Sequence, residues 1–440
     1  TGPGRAAAVG RVAGAAADAA ARRLMRALAR EWRLLSAAAR LALLALGLLA
    51  AIAVALGLAS VSATRADIAR VVALEARETE AIIGYAAGAA GSFGYYRHHP
   101  VWRAPNDLAF LAPSRGDAVP EVQRIRLLAL EAQINDNETA NPELLLAGRF
   151  DFAFVLLYLT PLVLIALLHD LWSAEREAGR LGALQSLPNA DRRLWTPRAT
   201  LRFGGVALAL LLPLAAGAAI EGTALPRLLA AVGLVLASLG FWALLSLLVA
   251  RTNAASATQA AVLAGLWFAV ALVIPAAAHL AINRAVPLPD AAAITRENRE
   301  EVHAGWDRPK TETMQRFLAH YPEFADRAEV GNGFHWNWYF AFQHLGDLHV
   351  AADSAARDAG IARREALAQG LGWLLPPLKL TQGLQSLAGS DVTAELAFRA
   401  RIRAFHRQLR DYHYPFLFDE RPMTTADVAA APTFETPPDL

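Results

Sequence analysis

Five stretches of this 440-residue chain run for roughly 18 residues or more without a single Asp, Glu, Lys or Arg. They are Leu41–Thr64, Phe152–His169, Phe203–Ile220, Leu228–Ala250 and Thr252–Asn283. A helix rising 1.5 Å per residue crosses a hydrocarbon core of about 30 Å in such a length. Charged residues make up only 19% of the chain, against about 25% in ordinary soluble domains, and the deficit is concentrated in these runs. The sequence therefore predicts a mainly α, polytopic helical membrane protein with five visible transmembrane helices. The last run exceeds what one span needs, which places its helix near Thr258–Ile282. A cleaved signal peptide does not account for the first run, because its apolar region would be about 7–15 residues long and closer to the start.

Arginine asymmetry sets the expected orientation. Residues 1–40 form an arm carrying Arg5, Arg11, Arg22, Arg23, Arg26, Arg30, Arg33 and Arg40 against only Asp18 and Glu31, so the N-terminus is expected in the cytoplasm. The first transmembrane helix then occupies 41–64, and 65–151 is an extracytoplasmic insert. Helices two to five occupy 152–283, with a cytoplasmic loop at 170–202 containing Arg176, Arg180, Arg192, Arg193, Arg198 and Arg202. Residues 284–440 form a second extracytoplasmic region. Five spans leave the C-terminus outside, so a sixth is expected beyond Leu440. The start at Thr1, without Met, gives the same expectation of a cut at the other end. Both external regions are expected to be mostly helical. The insert continues the first helix through Ile68, Val71, Val72 and Ile82 and holds a second helical stretch near Glu121–Ile134. In the C-terminal region a helix begins at Ser390 or Asp391, both good N-caps. It aligns Phe398, Ile402, Phe405 and Leu409 on one stripe and puts Arg399, Arg403, Arg407 and Arg410 on the other side. No strand pattern is long enough to assign.

Without cysteine there is no disulfide framework, thiol nucleophile or thiolate metal site. A net charge of +2 without a basic patch excludes nucleic acid as a partner. In the arm, Arg22, Arg26, Arg30 and Arg33 share one helical face, with Leu24, Leu28, Trp32 and Leu35 roughly opposite. Such a helix lies in the headgroup plane of a bilayer, unless it is an ordinary positive flank. The loop Glu175-Arg176-Glu177-Ala178-Gly179-Arg180-Leu181-Gly182-Ala183-Leu184-Gln185-Ser186-Leu187-Pro188 has acids first, a small apolar face at Leu181 and Leu184, and a terminating proline. It reads either as a short helix that docks in a partner's groove or as a solvated loop with helical character. His98, His99, His335, His344 and His349 do not form a metal pattern, because His344 and His349 lie about 140° apart on a helix. The run Phe334, Trp336, Trp338, Tyr339, Phe340 and Phe342 reads as a domain core or an interfacial belt.

The loop pattern, after a helix reading Tyr158-Leu159-Thr160-Pro161-Leu162, resembles the membrane subunits of ABC transporters of the second, export-associated type. Asn141-Pro142 with Gly148-Arg149-Phe150-Asp151, and Gln385-Ser386-Leu387-Ala388-Gly389-Ser390-Asp391, are similar to a branch of these permeases known mainly as a domain of unknown function. The likeness runs from about residue 28 to the end and lacks the last span that those permeases possess. It implies a bacterial inner-membrane permease with six spans, paired with a second copy or a similar permease, working as an exporter. Two cytoplasmic ABC ATPase subunits would hold ATP and Mg. The coupling residues would be Glu175, Arg176, Glu177, Gly179, Leu181, Leu184 and Pro188, with the arm residues Arg26, Arg30, Trp32 and Arg33 moving alongside. Pro161, Pro213 and Pro275 are the expected helix kinks. The chain has no G-x-x-x-x-G-K-[ST] loop, so no catalytic residue, cofactor or metal is assigned to it. Two alternatives compete. A secondary transporter would place an ionisable residue within its spans, and only His169 and His279 fall in the five runs. A membrane sensor or anchored enzyme would work through an extracytoplasmic ligand-binding domain, and neither H-E-x-x-H nor G-x-S-x-G is present. No residue identifies the cargo.

Overall fold

The computed structural model describes residues 25–26, 28–86, 88–113, 121–135, 150–327 and 330–435. The arm residues before Met25 and the Asn141-Pro142 and Gly148-Arg149 motif lie outside the described residues. Helices make up 79% of the structure, and among the described residues the sheet is one antiparallel pair. Five described helices are long and apolar enough to cross a membrane: Ala37–Gly84, Phe152–Glu177, Asp191–Glu221, Leu225–Ala250 and Ser256–Ala285. They are the first to fifth spans below. The chain divides into two compact units.

The first unit gathers the described residues up to Leu56 with Phe150–Ala277 and Gly372–Leu384. Its helices begin where the sequence supplies caps. Ser36 Oγ accepts from the Ala39 amide at 3.1 Å, and Asp151 accepts from the Phe154 amide at 2.7 Å. Gly222, at φ +69°, closes the third span, and Pro226 sits in the first turn of the fourth. The second span is the centre of this unit. It packs on spans three, four and five, and Leu164, Leu167, Leu168 and Val155 are buried.

The second unit comprises Gly57–Arg149, Ala278–Leu371 and Gln385–Leu440. The first helix contributes its polar half, because no breaker interrupts Ala37–Tyr85. Where a helix near Glu121–Ile134 was expected, Val122–Ile125 instead pairs antiparallel with His99–Trp102, and helix resumes only at Leu130–Asn135. Each strand has four residues with alternating burial, too short for period-2 patterning to register. The core is aromatic. Phe317 stacks on Phe418 at 5.1 Å and on Tyr321 at 4.8 Å, and Phe340, Phe342 and Tyr414 are fully enclosed. Gly91 is required by this packing, since a Cβ there would lie 1.9 Å from the Trp336 ring. Of the aromatic run, Trp338, Tyr339, Phe340 and Phe342 are core, while Phe334 is half exposed.

Asp391 caps the helix Val392–Phe418, accepting from Ala394 at 2.8 Å, and Phe398, Ile402, Phe405 and Leu409 are buried together. The side that carries the arginines is largely covered as well. Arg399 and Arg410 are buried, Arg403 is largely covered, and only Arg407 of the four is exposed. Arg403 bridges Glu131 at 2.6 Å and Asp358 at 2.6 Å, and Arg410 meets Asp347 at 2.6 Å.

Candidate functional site

The end of the second span and the loop after it contain two short helices, Ser173–Glu177 and Leu181–Gln185, where one was expected over 175–188. Gly179 divides them. At φ +71° it takes the left-handed conformation that ends a helix, and its amide closes on the Arg176 carbonyl at 2.9 Å. A second left-handed residue, Asn189, follows Pro188 and returns the chain to the third span. The tip between these two turns therefore has fixed ends.

The charged triplet at the base of the loop is used internally. Glu175 accepts from Arg180 at 2.8 Å and from Arg198 at 2.9 Å. Arg198, in the first turns of the third span, also reaches Glu31 of the arm at 3.2 Å. Glu31 is 5% exposed and holds Arg30 at 3.0 Å, while Arg30 donates to the Arg193 carbonyl at 3.0 Å. Arg176 donates to the carbonyls of Thr252, at 3.2 Å, and Ala254. Glu177 accepts from the Ser256 amide at 2.7 Å, placing a carboxylate at the N-terminus of the fifth span. Gln259 completes this corner by donating to the Ala250 and Thr252 carbonyls at 3.2 and 3.1 Å. Thus Glu175, Arg176 and Glu177 tie the loop to the arm, the third span and the turn between spans four and five. Two tryptophans brace the same base: Trp172 and Trp195 lie 5.3 Å apart, with Arg251 over the first ring and Arg198 over the second.

The tip is different in kind. Leu181–Gln185 has no buried residue, Leu181 and Leu184 are half-buried, and Gly182, Ala183, Gln185, Ser186, Leu187 and Pro188 are exposed. Leu187 is 48% exposed. The seven residues singled out in the sequence therefore separate into a mount, Glu175, Arg176, Glu177 and Gly179, and a presented surface, Leu181, Leu184 and Pro188. In the arm, Arg30 joins the mount, whereas Arg26, Trp32 and Arg33 are exposed. Glu31, Arg198 and Gln259 were not singled out. The signals for Glu31 were its place in Glu31-Trp32-Arg33, which belongs to the family resemblance, and its rarity as an acid among arginines.

Two of the three expected kinks coincide with π-turns. Val155–Leu159 precedes Pro161 and Ala269–Val273 precedes Pro275, and a third π-turn, Asp191–Trp195, precedes Pro197. Pro213 lies inside the α-helix Thr196–Glu221. The histidines are distributed: His344 Nδ1 lies 2.9 Å from the Tyr414 hydroxyl, and His98 lies 3.7 Å from Glu78. Among the described residues no three His, Asp or Glu side chains converge as a metal site.

Residues 292–436 match a family described as a domain of unknown function, DUF3526. That segment begins in the helix Ala291–Asp307 and includes Val392–Phe418, so it falls mostly in the second unit. No curated protein and no solved structure matches the chain.

Proposed function

We propose that this protein is the permease subunit of an ATP-driven ABC transporter, an exporter in a bacterial inner membrane, and that its loop tip at Leu181–Pro188 docks on a cytoplasmic ATPase. One observation carries the reading: the tip is exposed and apolar on one side, while the charges at its base are committed to the arm, to the third and fifth spans and to the turn before the fifth. Such a mount is suited to passing a push on the tip to several helices at once, whereas a merely solvated loop needs no such attachment. The order of the elements and the match to a domain of unknown function over residues 292–436 agree with the resemblance in sequence. ATP and Mg belong to the ATPase in this reading, and closure of two ATPases would drive the loop tips of a pair of permeases between inward-open and outward-open states. In this reading the N-terminus, with its arginine-rich arm, is cytoplasmic.

A photo-reactive residue at Leu187 tests the assignment in intact membranes, with Glu300 as the control position. Cross-linking of an ABC ATPase from Leu187 and not from Glu300 is expected. Failure to capture an ATPase from Leu187, or equal capture from both, would remove the docking role.

A further inference from the structure

Residues 366–378 carry no Asp, Glu, Lys or Arg between Glu365 and Lys379, although they lie far from the five long apolar runs in sequence. Thirteen such residues are too few to cross a bilayer but fall in the range of interfacial and re-entrant segments. The structure ends one helix and begins another within them. The helix Trp336–Gly372 ends, the Leu375 amide closes on the Gly372 carbonyl at 3.1 Å, and a second helix runs Pro376–Ala388. The turn folds back on the second helix, since a Cβ on Gly372 would lie 2.6 Å from Gln382 Oε1. At the tip the inward residue Leu375 is buried, but Trp373 is 76% and Leu374 78% exposed, and Leu367 shows 45%. No other adjacent pair of large apolar side chains in the described residues is as bare.

Three observations say what covers this tip. Gly372–Leu384 clusters with the apolar spans and not with the polar second unit from which the chain enters and leaves it. Gly383 faces Leu234, nine residues into the fourth span, so the helix Pro376–Ala388 lies beside that span about 13 Å from its start. Lys379 sets its ammonium 4.8 Å over the Trp373 ring, an arrangement in which the stem is buried and the charge reaches polar headgroups. Indole at a polar boundary is also where tryptophan is enriched in membrane proteins. A turn has unsatisfied backbone groups and is excluded from the hydrocarbon centre. We infer that the turn at Trp373-Leu374 inserts into the lipid bilayer at the boundary between headgroups and acyl chains, and so forms a membrane anchor additional to the five spans. The inference rests on the five apolar helices being membrane spans and not on the ATPase-coupled function.

The absence of cysteine makes a site-specific test direct. Trp373→Cys and, separately, Leu374→Cys are labelled with nitrobenzoxadiazole in the full chain, reconstituted in phosphatidylcholine vesicles. Leu236→Cys serves as the span reference and Ala352→Cys as the aqueous one. At both tip positions we expect blue-shifted emission, strong quenching by lipids carrying a nitroxide near the headgroup, weaker quenching by lipids labelled deep in the chain, and little quenching by aqueous iodide. Iodide quenching equal to that at Ala352 would overturn the anchor. Protection from every quencher would also overturn it, by showing protein, such as a second copy, over the tip. Deep quenching stronger than shallow would overturn the boundary placement. If Leu236 were itself open to iodide, the membrane reading of the spans would fail instead.

Discussion

Asp347 shows how much one buried side chain organises in the second unit. It accepts from the Leu130 and Glu131 amides at 2.8 and 2.9 Å, from Asn298 at 3.2 Å, and from Arg410. Thus one carboxylate caps a short helix and neutralises a buried guanidinium. Asp347→Ala leaves Arg410 enclosed without its counter-charge, and a loss of about 3–5 kcal/mol is expected in denaturant unfolding. Arg407→Ala, at an exposed position of the same helix, should change little; a loss below about 1 kcal/mol for Asp347→Ala would contradict the assignment. Histidines impose a pH dependence on the same unit. Burial, with Arg97 and Arg410 nearby, holds His99 and His406 well below the ordinary imidazole value, His413 at about 4 and His344 at about 2. An imidazole depressed in the folded state takes its proton first in the unfolded chain, so stability is full above the unfolded value of 6.5 and is lost as pH falls below it. Each contributes a loss of about 1.4 kcal/mol per pH unit below that value until its folded pKa is reached. The melting temperature should therefore drop between pH ~7.5 and ~5.5, and a flat profile would show these rings to be solvated. Sequence made part of this legible. The stripe Phe398, Ile402, Phe405 and Leu409 and the Asp391 cap follow from local spacing. The burial of Arg403 and Arg410 does not, because Glu131 lies 272 residues from the first and Asp347 63 from the second.

At the scale of elements, proline and glycine decide where helices depart from regularity. A proline lacks an N–H and its ring collides with the carbonyl four residues back. Widening the preceding turn to i→i+5 relieves that collision, and Val155–Leu159, Asp191–Trp195 and Ala269–Val273 each end two residues before a proline. At the first of these the Val155 carbonyl accepts both the Thr160 amide and its hydroxyl, the latter at 2.9 Å. The prolines were visible in sequence; which of them carried a π-turn was not, since Pro213 sits in regular helix. The loop helix was legible in composition and misread in length, because the break at Gly179 depends on a backbone angle. A Cβ at Gly179 would meet nothing within 4 Å, so only the left-handed conformation restricts it. Gly179→Val should cost about 1–2 kcal/mol locally and misdirect the tip, whereas Gly179→Asn should be tolerated. ATPase recovered with the purified protein is the readout, and equal recovery from all three proteins would deny the turn its role. The short strand pair was missed because four-residue elements leave no period to count.

The whole molecule joins two kinds of chemistry in one chain. The first unit depends on apolar spans, and their burial is unequal: 56% of an apolar 18-residue stretch of the second span is enclosed and only 11% of the corresponding stretch of the fifth. The fifth span's Val262, Phe268, Val273 and Leu280 are accordingly exposed. The second unit instead encloses ion pairs and aromatic rings, as an aqueous domain does. Composition revealed the spans because a membrane demands long runs of one character. It did not reveal that residues 372–384 join them, since thirteen residues fall below the length that such a demand makes conspicuous. The central claim is that a rigidly mounted tip links the spans to an ATPase. Co-purification in mild detergent of the protein with its ABC ATPase, comparing wild type with Leu184→Asp/Leu187→Asp, tests it most directly. The account predicts a stable complex with the wild type and loss of the ATPase from the double variant, which still inserts in the membrane and melts as the wild type does. An ATPase retained by the double variant, or none bound by well-folded wild type, would contradict it.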